Sequence, residues 1–346
     1  MGIPTATLGV LAAVALAGTP AVQLVGTSPA GPPARTWHHL PDDPLLPTQW
    51  NLGAGTPPGA QHPRTALDVA GAWALTHCPG VTVAVLDTGV DLDHPDLAPH
   101  LLPGATFVSG TSSADDDQGH GTEVAGVIAA VTDNGTGIAG VCPEGRLLPV
   151  KVADSGGHTD DDEGDVLVAA GLRWAVDHGA RVISMSLGVL PTPAMREAVE
   201  YAHARDVLVV AAVGNSGDSP NPWPAPADLP HVLAVGATDR GGERAAYSST
   251  GPHDLVMAPG DGVPTTARGG GYGEGGYTSI ATPQVAGVAA LVRSVRPDLG
   301  ADQVRRVIEA TATPLPGQPD WSPTSGYGLV DAAAAVRAAR GMPRHP

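Results

Sequence analysis

Asp87 follows directly on a near-continuous apolar run, residues 81–86. Such a run is typical of a strand that is buried on both faces. A carboxylate at the end of a buried strand is partly removed from water, so it needs a hydrogen-bonded or charged partner. Asp87 is therefore a candidate for chemistry, although an aspartate two residues before a glycine, here Gly89, is also a common turn.

His120 lies between Gly119 and Gly121, at the start of a predicted helix over residues 121–131. The two glycines let other backbone approach the imidazole closely. The positive end of the helix dipole disfavours imidazolium, which suits a neutral general base. The alternative is an ordinary loop histidine, since the chain has 13 histidines.

Ser279 and Asn215 complete the set of candidates. Ser279 lies on the approach to a helix that we predict to begin at Thr282-Pro283, where unpaired backbone N–H groups can hold an oxyanion. Asn215 follows a predicted strand over residues 207–213, and its amide can donate a hydrogen bond into a site. The simpler alternatives are a helix-capping serine and a turn asparagine in the left-handed conformation.

Predicted strands alternate with predicted helices along most of the chain. This alternation predicts an α/β fold with a parallel sheet covered by helices on both faces. In such a sheet, sites form at the carboxyl ends of the strands, where Asp87, Ser186 and Asn215 stand. The predicted strands cover residues 81–86, 147–152, 182–187, 207–213, 231–235 and 254–258, and the predicted helices cover 121–131, 165–178, 194–204 and 282–296.

Composition excludes several classes of partner. The chain has 346 residues, 42% of them apolar, and its formal net charge is −17. Because phosphate binding needs clustered cations and Lys151 is the only lysine, we expect neither a nucleic-acid partner nor attraction to an anionic membrane. An acidic surface mildly favours cationic substrates. The acidic run 115–117 is expected to lie on the surface.

The N-terminus carries an apolar stretch, residues 8–18, which is too short to span a bilayer comfortably. No other segment of the sequence is long and apolar enough to be a transmembrane helix. It resembles the apolar part of a signal peptide and predicts secretion, although no Lys or Arg precedes it. A misassigned start codon or a disordered tail are the alternatives. We therefore predict a signal-like segment over 1–30, a Pro/Gly-rich lead-in over 31–46, one catalytic domain over 47–340 and a tail over 341–346, without a membrane anchor.

Five segments together resemble the motifs of the subtilisin-like serine proteases, the subtilases: residues 83–97, 119–130, 182–188, 207–217 and 277–291. The resemblance extends from about residue 49 to 339, and the short region before the domain is similar to that of the mycosin group. It implies a three-layer fold and a serine endopeptidase that works through an acyl-enzyme. It also implies that Ser279 is the nucleophile, that His120 is its base, that Asp87 orients His120, and that Asn215 helps to hold the oxyanion.

The resemblance also implies a substrate cleft. Polypeptide substrate is expected to bind as an extended strand, by β-strand addition to a monomer. One edge of this cleft would be Ser186, Leu187 and Gly188, and the other Ala212, Val213 and Gly214. Leu187 and Val213 can equally be plain core residues.

No cofactor is expected for the chemistry, but the resemblance implies a structural Ca²⁺ held by Gln49, Asp96 and Asn134. The alternative is a tight Asn-Gly loop without metal. Two cysteines, Cys78 and Cys142, can be buried thiols or one disulfide. The resemblance places each just before one of two adjacent strands, which favours the disulfide.

One position departs from the family pattern: Tyr277 stands where glycine is usual. If that position requires an unusual backbone angle, the strain would disturb the nucleophile. This leaves open a catalytically impaired binding protein with the same fold. A remote alternative is an aspartic protease, whose local motif fits residues 87–89 and 154–156, but the α/β alternation contradicts an all-β enzyme.

Overall fold

The computed structural model describes residues 41–53, 65–154, 164–221, 224–251 and 254–344. The predicted signal-like segment, most of the lead-in, and Ser155-Gly156 of the second aspartic-protease motif lie outside the described residues. All described residues belong to one compact unit, Pro33–Pro346.

Seven strands form a single sheet in the order β2-β3-β1-β4-β5-β6-β7, and every neighbouring pair is parallel. The predicted α/β class with a parallel sheet is confirmed, and the all-β architecture of an aspartic protease is excluded. The strands are β1 (Thr82–Asp87), β2 (Ala105–Thr106), β3 (Arg146–Lys151), β4 (Val182–Met185), β5 (Leu208–Ala212), β6 (Val232–Thr238) and β7 (Leu255–Pro259).

The register of the central strands brings their carboxyl ends together. Leu86 of β1 pairs with Met185 of β4, and Met185 pairs with Ala211 of β5. The next residues along these strands, Asp87, Ser186 and Ala212, therefore lie at one edge of the sheet. This is the edge at which the sequence predicts the site.

The helices form layers on the sheet. α2 packs against α5, α3 packs against α4, and members of both pairs contact the strands, as the three-layer prediction requires. No described helix has both the length and the apolar character needed to cross a bilayer. The helices are α1 (Val69–Trp73), α2 (His120–Ala129), α3 (Gly164–Asp177), α4 (Pro193–His203), α5 (Tyr277–Val295), α6 (Ala301–Thr311) and α7 (Ala332–Gly341).

An antiparallel hairpin, β8 (Val263–Ala267) with β9 (Gly271–Gly275), packs on α2 and was not predicted. The Thr266 hydroxyl donates to the Thr122 carbonyl at 2.7 Å. This close packing needs a glycine in the helix, because a Cβ at Gly126 would collide with Thr266 Oγ1. The hairpin thereby fixes the position of α2, whose first residue is His120.

Cys78 and Cys142 are joined as a disulfide, with 5.3 Å between their Cα atoms. Each cysteine precedes a strand, β1 and β3 respectively, and these two strands are neighbours in the sheet. The bridge thus ties together the loops at the amino ends of the two strands.

The predicted domain limits remain predictions, but the residues beside them are packed. In the lead-in, Leu46 is buried, and the Leu45 N–H donates to the Gly137 carbonyl at 2.8 Å. At the other end, α7 extends to Gly341, and Arg296 donates to the Met342 carbonyl at 2.8 Å. Chain on both sides of the predicted 47–340 domain therefore contributes to the same folded unit.

Candidate active site

The ends of β1 and α2 bring Asp87 and His120 into direct contact. His120 Nδ1 and Asp87 Oδ1 are 2.7 Å apart, and the Asp87 carboxylate is almost fully buried. Gly121 makes this approach possible, because a Cβ there would collide with the Gly89 carbonyl oxygen. The Thr88 N–H also donates to Asp87 Oδ1, at 2.8 Å. The carboxylate is therefore fixed and faces one ring nitrogen of the imidazole.

Asp116 supports this arrangement, contrary to the expectation that the run 115–117 lies on the surface. It is 1% exposed, and its two carboxylate oxygens accept five hydrogen bonds. Donors include the Thr88 hydroxyl beside Asp87 and the Thr122 N–H in the first turn of α2. Burial acts to raise the pKa of Asp116, but these hydrogen bonds hold it below its usual value. Asp116 therefore joins the end of β1 to the start of α2.

The electrostatics of His120 differ from the expectation drawn from the helix dipole. The charge of Asp87 raises the pKa of His120 to about 9, although burial opposes this; Glu123 and Asp116 add to the increase. A carboxylate at hydrogen-bond distance outweighs the partial charge of a helix terminus. Asp87 therefore stabilises the imidazolium form of His120, against the direction expected from the helix dipole.

Ser279 lies inside α5, which begins at Tyr277 and not at the predicted Thr282-Pro283. Pro283 has no N–H, so the carbonyl of Ser279, four residues earlier, lacks its helical donor. The Ser186 hydroxyl donates to that carbonyl instead, at 2.6 Å. In return, Ser279 Oγ donates to the Ser186 carbonyl at 3.3 Å.

This reciprocal pair attaches Ser279 to the residue that follows β4. Because β4 is the neighbour of β1, Ser279 lies at the same sheet edge as Asp87 and His120. A helix that begins before its proline is thus held in place by the hydroxyl of the residue that follows β4. Sequence reasoning placed Ser186 only in the substrate cleft and did not identify this second role.

Tyr277 occupies the left-handed region, with φ of 66°. This is the unusual backbone angle that glycine would adopt without strain. Two contacts hold the residue there: its N–H donates to the Gly260 carbonyl at 2.7 Å, and its ring meets the Tyr247 ring edge-on at 4.8 Å. The side chain is otherwise exposed. The departure from the family pattern is therefore strained but anchored.

Asn215 is oriented by the residue before the candidate nucleophile. Its Oδ1 accepts from the Thr278 N–H at 3.1 Å and from the Thr278 hydroxyl at 2.9 Å. Since the oxygen is engaged, the amide nitrogen of this exposed residue is turned away from Thr278. The left-handed position of this turn belongs to Gly214, with φ of 100°, and not to Asn215.

The two predicted cleft segments leave neighbouring strands at the same edge. Leu187 and Gly188 follow β4 outside its ladder and are partly exposed. Ala212 ends β5 and Val213 follows it; both are buried, and Gly214 is partly exposed. Val213 also lines a cavity of about 510 Å³ together with Asn221, whose amide donates to the Val213 carbonyl at 2.8 Å.

The predicted calcium ligands are only partly brought together. Asn134 Nδ2 donates to Asp96 Oδ1 at 2.8 Å, so these two side chains are in contact. Gln49 differs from the expectation: its amide group makes two 2.8 Å hydrogen bonds with the backbone of Ala139, and its oxygen is engaged there.

Asp43, which sequence reasoning missed, contacts the loop that contains Asn134 and takes the place predicted for Gln49. Its Oδ2 accepts from the Asp133 N–H at 3.0 Å. Burial, together with the nearby Asp96 charge, raises the pKa of Asp43 to about 6, and burial also raises the pKa of Asp96. Two partly desolvated carboxylates near one another are oxygen donors of the kind that a hard cation prefers, whereas the Asn134 side-chain oxygen accepts from the Thr136 N–H at 2.8 Å.

Comparison with known proteins identifies the family. The subtilase family (peptidase S8) matches residues 79–328. Subtilisin Savinase of Lederbergia lenta is 44% identical over 259 residues, which cover 75% of this chain and 91% of that protein. Thermitase of Thermoactinomyces vulgaris is 40% identical over 247 residues, 71% of this chain and 86% of its own. Alkaline elastase YaB of Bacillus sp. (strain YaB) is 44% identical over 260 residues, 75% of this chain and 65% of its own.

A solved structure agrees with these relatives. The structure described as proteases from Pseudoalteromonas arctica PAMC 21717 superimposes with a TM-score of 0.75 at 32% identity, and covers 87% of this chain and 100% of that one. The chain belongs to the subtilase family and is a serine endopeptidase.

Proposed function

We propose that this chain is a secreted endopeptidase that cleaves polypeptides through Asp87, His120 and Ser279, by way of an acyl-enzyme. The observation that carries the proposal is the 2.7 Å contact between Asp87 and His120 at the sheet edge to which Ser186 attaches Ser279. A serine hydroxyl is a weak nucleophile without an adjacent base, and an imidazole held by a carboxylate supplies one.

In the first step, Ser279 Oγ leaves the Ser186 carbonyl by a rotation about χ1 and attacks the scissile carbonyl carbon. His120 Nε2 takes the hydroxyl proton, and Asp87 stabilises the resulting imidazolium through Nδ1. The tetrahedral intermediate collapses when His120 returns that proton to the leaving amine, which leaves an ester on Ser279. Water then attacks the ester with the same base, releases the carboxylic acid and restores the serine.

The oxyanion of each intermediate is held by two donors in this proposal. The Asn215 amide nitrogen is one, because Thr278 engages the amide oxygen and turns the nitrogen outward. The backbone N–H of Ser279 is the other, since the N–H groups in the first turn of a helix have no partner within the helix. Removing one such donor typically costs about 10²–10³ in kcat.

The substrate binds as an extended strand between the two cleft segments. Leu187 and Gly188, beyond the ladder of β4, offer backbone groups on one side, and the partly exposed backbone of Gly214 offers them on the other. Main-chain pairing of this kind gives affinity for polypeptides in general. We expect the enzyme to act as a monomer.

A structural Ca²⁺ fits the loop that contains Asn134. Asp43 and Asp96 would hold it, the Asn134 side chain would have to turn its oxygen from the Thr136 N–H to join them, and Gln49 would not contribute. The chemistry that supports this is the pair of buried carboxylates, whose raised pKa values reflect an unfavourable charge that a cation would relieve. The ion would stabilise the loop and take no part in peptide hydrolysis.

Secretion is supported by the apolar N-terminal stretch and by the disulfide, since disulfides persist mainly in oxidising compartments. With a net charge of −17, nucleic acid is not an expected partner.

The decisive experiment compares the purified chain with its Ser279→Ala and Asp87→Asn variants. A fluorophosphonate probe should label the parent and the control Ser219→Ala, which removes the hydroxyl of an exposed residue, but not Ser279→Ala. Hydrolysis of a peptide substrate should fall about 10⁶-fold in Ser279→Ala and about 10⁴-fold in Asp87→Asn. An unlabelled, inactive but folded parent would refute the proposal and favour the impaired binding protein.

A further inference from the structure

A cluster of histidines and carboxylates lies on the side of the sheet away from the candidate active site. Glu200 and His203 belong to the last turns of α4, His231 directly precedes β6, and Asp302 is in the first turn of α6. All strands of the seven-stranded sheet are parallel and the candidate active site is at their carboxyl ends, so a residue just before β6 lies at the opposite edge. Nothing in the proposed peptide hydrolysis uses this cluster.

The two imidazoles are stacked, with ring centroids 3.6 Å apart and an interplanar angle of 14°. Asp302 contacts both rings: its Oδ2 is 3.2 Å from His203 Nε2, and its Oδ1 is 3.5 Å from His231 Nδ1. On the other side, Glu200 Oε1 is 4.0 Å from His231 Nε2. One ligand atom each from Glu200, His203 and His231 lies within 4.8 Å of the other two.

The charge around the cluster is negative. Arg305 is the neighbouring cation, but it lies 2.5 Å from Asp254 and 2.9 Å from Glu309, and only 3.6 Å from Asp302. Its charge is therefore shared among three carboxylates. Glu200 and Asp302 remain in excess around the two imidazoles, which favours a bound cation.

Two further observations concern how loosely the cluster is held together. Asp302 Oδ1 is shielded from solvent, and the two donors near it, His231 Nδ1 at 3.5 Å and Arg305 Nη2 at 3.6 Å, lie beyond normal hydrogen-bond distance. His231 is in the left-handed region, with φ of 68°, and its ring stacks on His203. A poorly satisfied buried acceptor and a strained residue are both unfavourable unless a further interaction compensates for them.

We propose that Glu200, His203 and His231 bind a divalent zinc ion. Two imidazole nitrogens and one carboxylate oxygen are a ligand set typical of zinc, with a water molecule in the remaining position. A metal on His231 Nε2 fixes the proton on Nδ1, so that this nitrogen donates to Asp302 Oδ1 and completes its hydrogen bonding.

Binding requires the stacked rings to splay apart so that both nitrogens face one ion. Both side chains are about one third exposed, at 31% for His203 and 30% for His231, and Glu200 is 60% exposed, so this rotation meets little packing. The ion would join α4, the turn before β6 and the start of α6 through Asp302. Its role is therefore stabilisation of the fold, independent of the peptidase reaction.

The test uses the full-length chain with Ser279→Ala to prevent self-digestion, stripped of metal and returned to calcium-saturated buffer. Zinc chloride is titrated by calorimetry into this parent and into His203→Ala, His231→Ala and Glu200→Gln. The matched control is His178→Ala, because His178 also lies at the end of a helix and stacks on an aromatic ring, that of Trp174. We expect one zinc ion to bind, at least about tenfold weaker in the three cluster variants and unchanged in the control.

Two more measurements keep the result independent of folding defects in any one variant. Saturating zinc should raise the unfolding midpoint of the parent by about 5 °C and leave that of His231→Ala unchanged. Anomalous scattering at the zinc edge should place the ion between His203 and His231. Equal zinc affinity in parent and cluster variants, or an ion located elsewhere, would overturn the proposal.

Discussion

Substitution of Tyr277 tests whether the backbone just before the candidate nucleophile is strained. Its φ of 66° lies where any side chain with a Cβ is disfavoured. We therefore predict that Tyr277→Gly is more stable than Tyr277→Ala, the reverse of the order expected at ordinary positions. The comparison of two small residues isolates the backbone angle, because neither can pack on the Tyr247 ring.

The magnitude follows from three effects. Left-handed backbone costs a residue with a Cβ about 1–2 kcal/mol, whereas glycine loses about 0.4–1 kcal/mol through the greater freedom of its unfolded chain. Glycine should therefore exceed alanine at position 277 by about 1 kcal/mol in unfolding free energy. The packing of the two tyrosine rings in the parent is worth about 0.5–1.5 kcal/mol, so Tyr277→Gly itself should lie within about 1 kcal/mol of the parent.

Urea unfolding followed by tryptophan fluorescence, in the Ser279→Ala background, measures these differences. Leu190 is the control, since it is also an exposed apolar residue but does not have a positive φ. There, alanine should be more stable than glycine by about 0.5–1 kcal/mol. If alanine matches or exceeds glycine at position 277, the strain argument is refuted.

Three further predictions concern the site and the calcium loop. Because the pKa of His120 is about 9, kcat/KM should rise about tenfold per pH unit from 7 towards 9. The stability that the protonated imidazole contributes is fully present below pH 6.5 and should be lost over the same pH range. Glu123→Gln should move the midpoint of the kinetic profile to lower pH, and a flat profile between pH 7 and 9 would contradict this prediction. Ser186→Ala leaves the Ser279 carbonyl in α5 unpaired, so it should lower the free energy of unfolding by about 1–3 kcal/mol and kcat by about tenfold. The control Ser184→Ala removes a buried hydroxyl without a partner and should change neither quantity. If the two variants have equal effects in urea unfolding and kinetics, the hydrogen bond assigned to Ser186 is contradicted. Removing calcium should lower the unfolding midpoint of the parent by about 5 °C but leave that of Asp96→Asn unchanged, and a parent insensitive to chelation would argue against the ion.

The fold was predictable because its strands are buried on both faces. Runs such as residues 81–86 are almost entirely apolar, and the polar residue Asp87 follows this run directly. The family motifs then identified Asp87 and His120, which the structure brings into contact. Local sequence patterns were sufficient to predict features that depend on a single strand or helix and on the residues at its end.

The predictions that failed depend on contacts between distant segments. The start of α5 was placed at Thr282 because proline normally opens a helix, but a hydroxyl 93 residues away replaces the missing donor. Asp116 resembled its two acidic neighbours, yet it is buried by hydrogen bonds from the segment after β1 and from α2. The pKa of His120 was inferred from its own helix, whereas a carboxylate 33 residues earlier determines it.

The residues of the two proposed metal sites were the least accessible to sequence reasoning. Asp43 lies in a Pro-rich lead-in without periodic pattern, and only the folded chain brings it to the loop after α2. The proposed zinc ligands belong to segments that share no motif. For such sites the sequence provides the ligand types, and the packing of helices on the sheet decides which of them meet.

The Cys78–Cys142 bridge has a consequence for a protease exposed to its own activity. It closes a covalent ring over a sequence separation of 64 residues, and that ring contains both Asp87 and His120. A single cut at any exposed loop within the ring would produce new chain ends without releasing a fragment, so both residues would stay attached to the rest of the enzyme. Molecules nicked there should migrate as intact protein on a gel until a reducing agent is added.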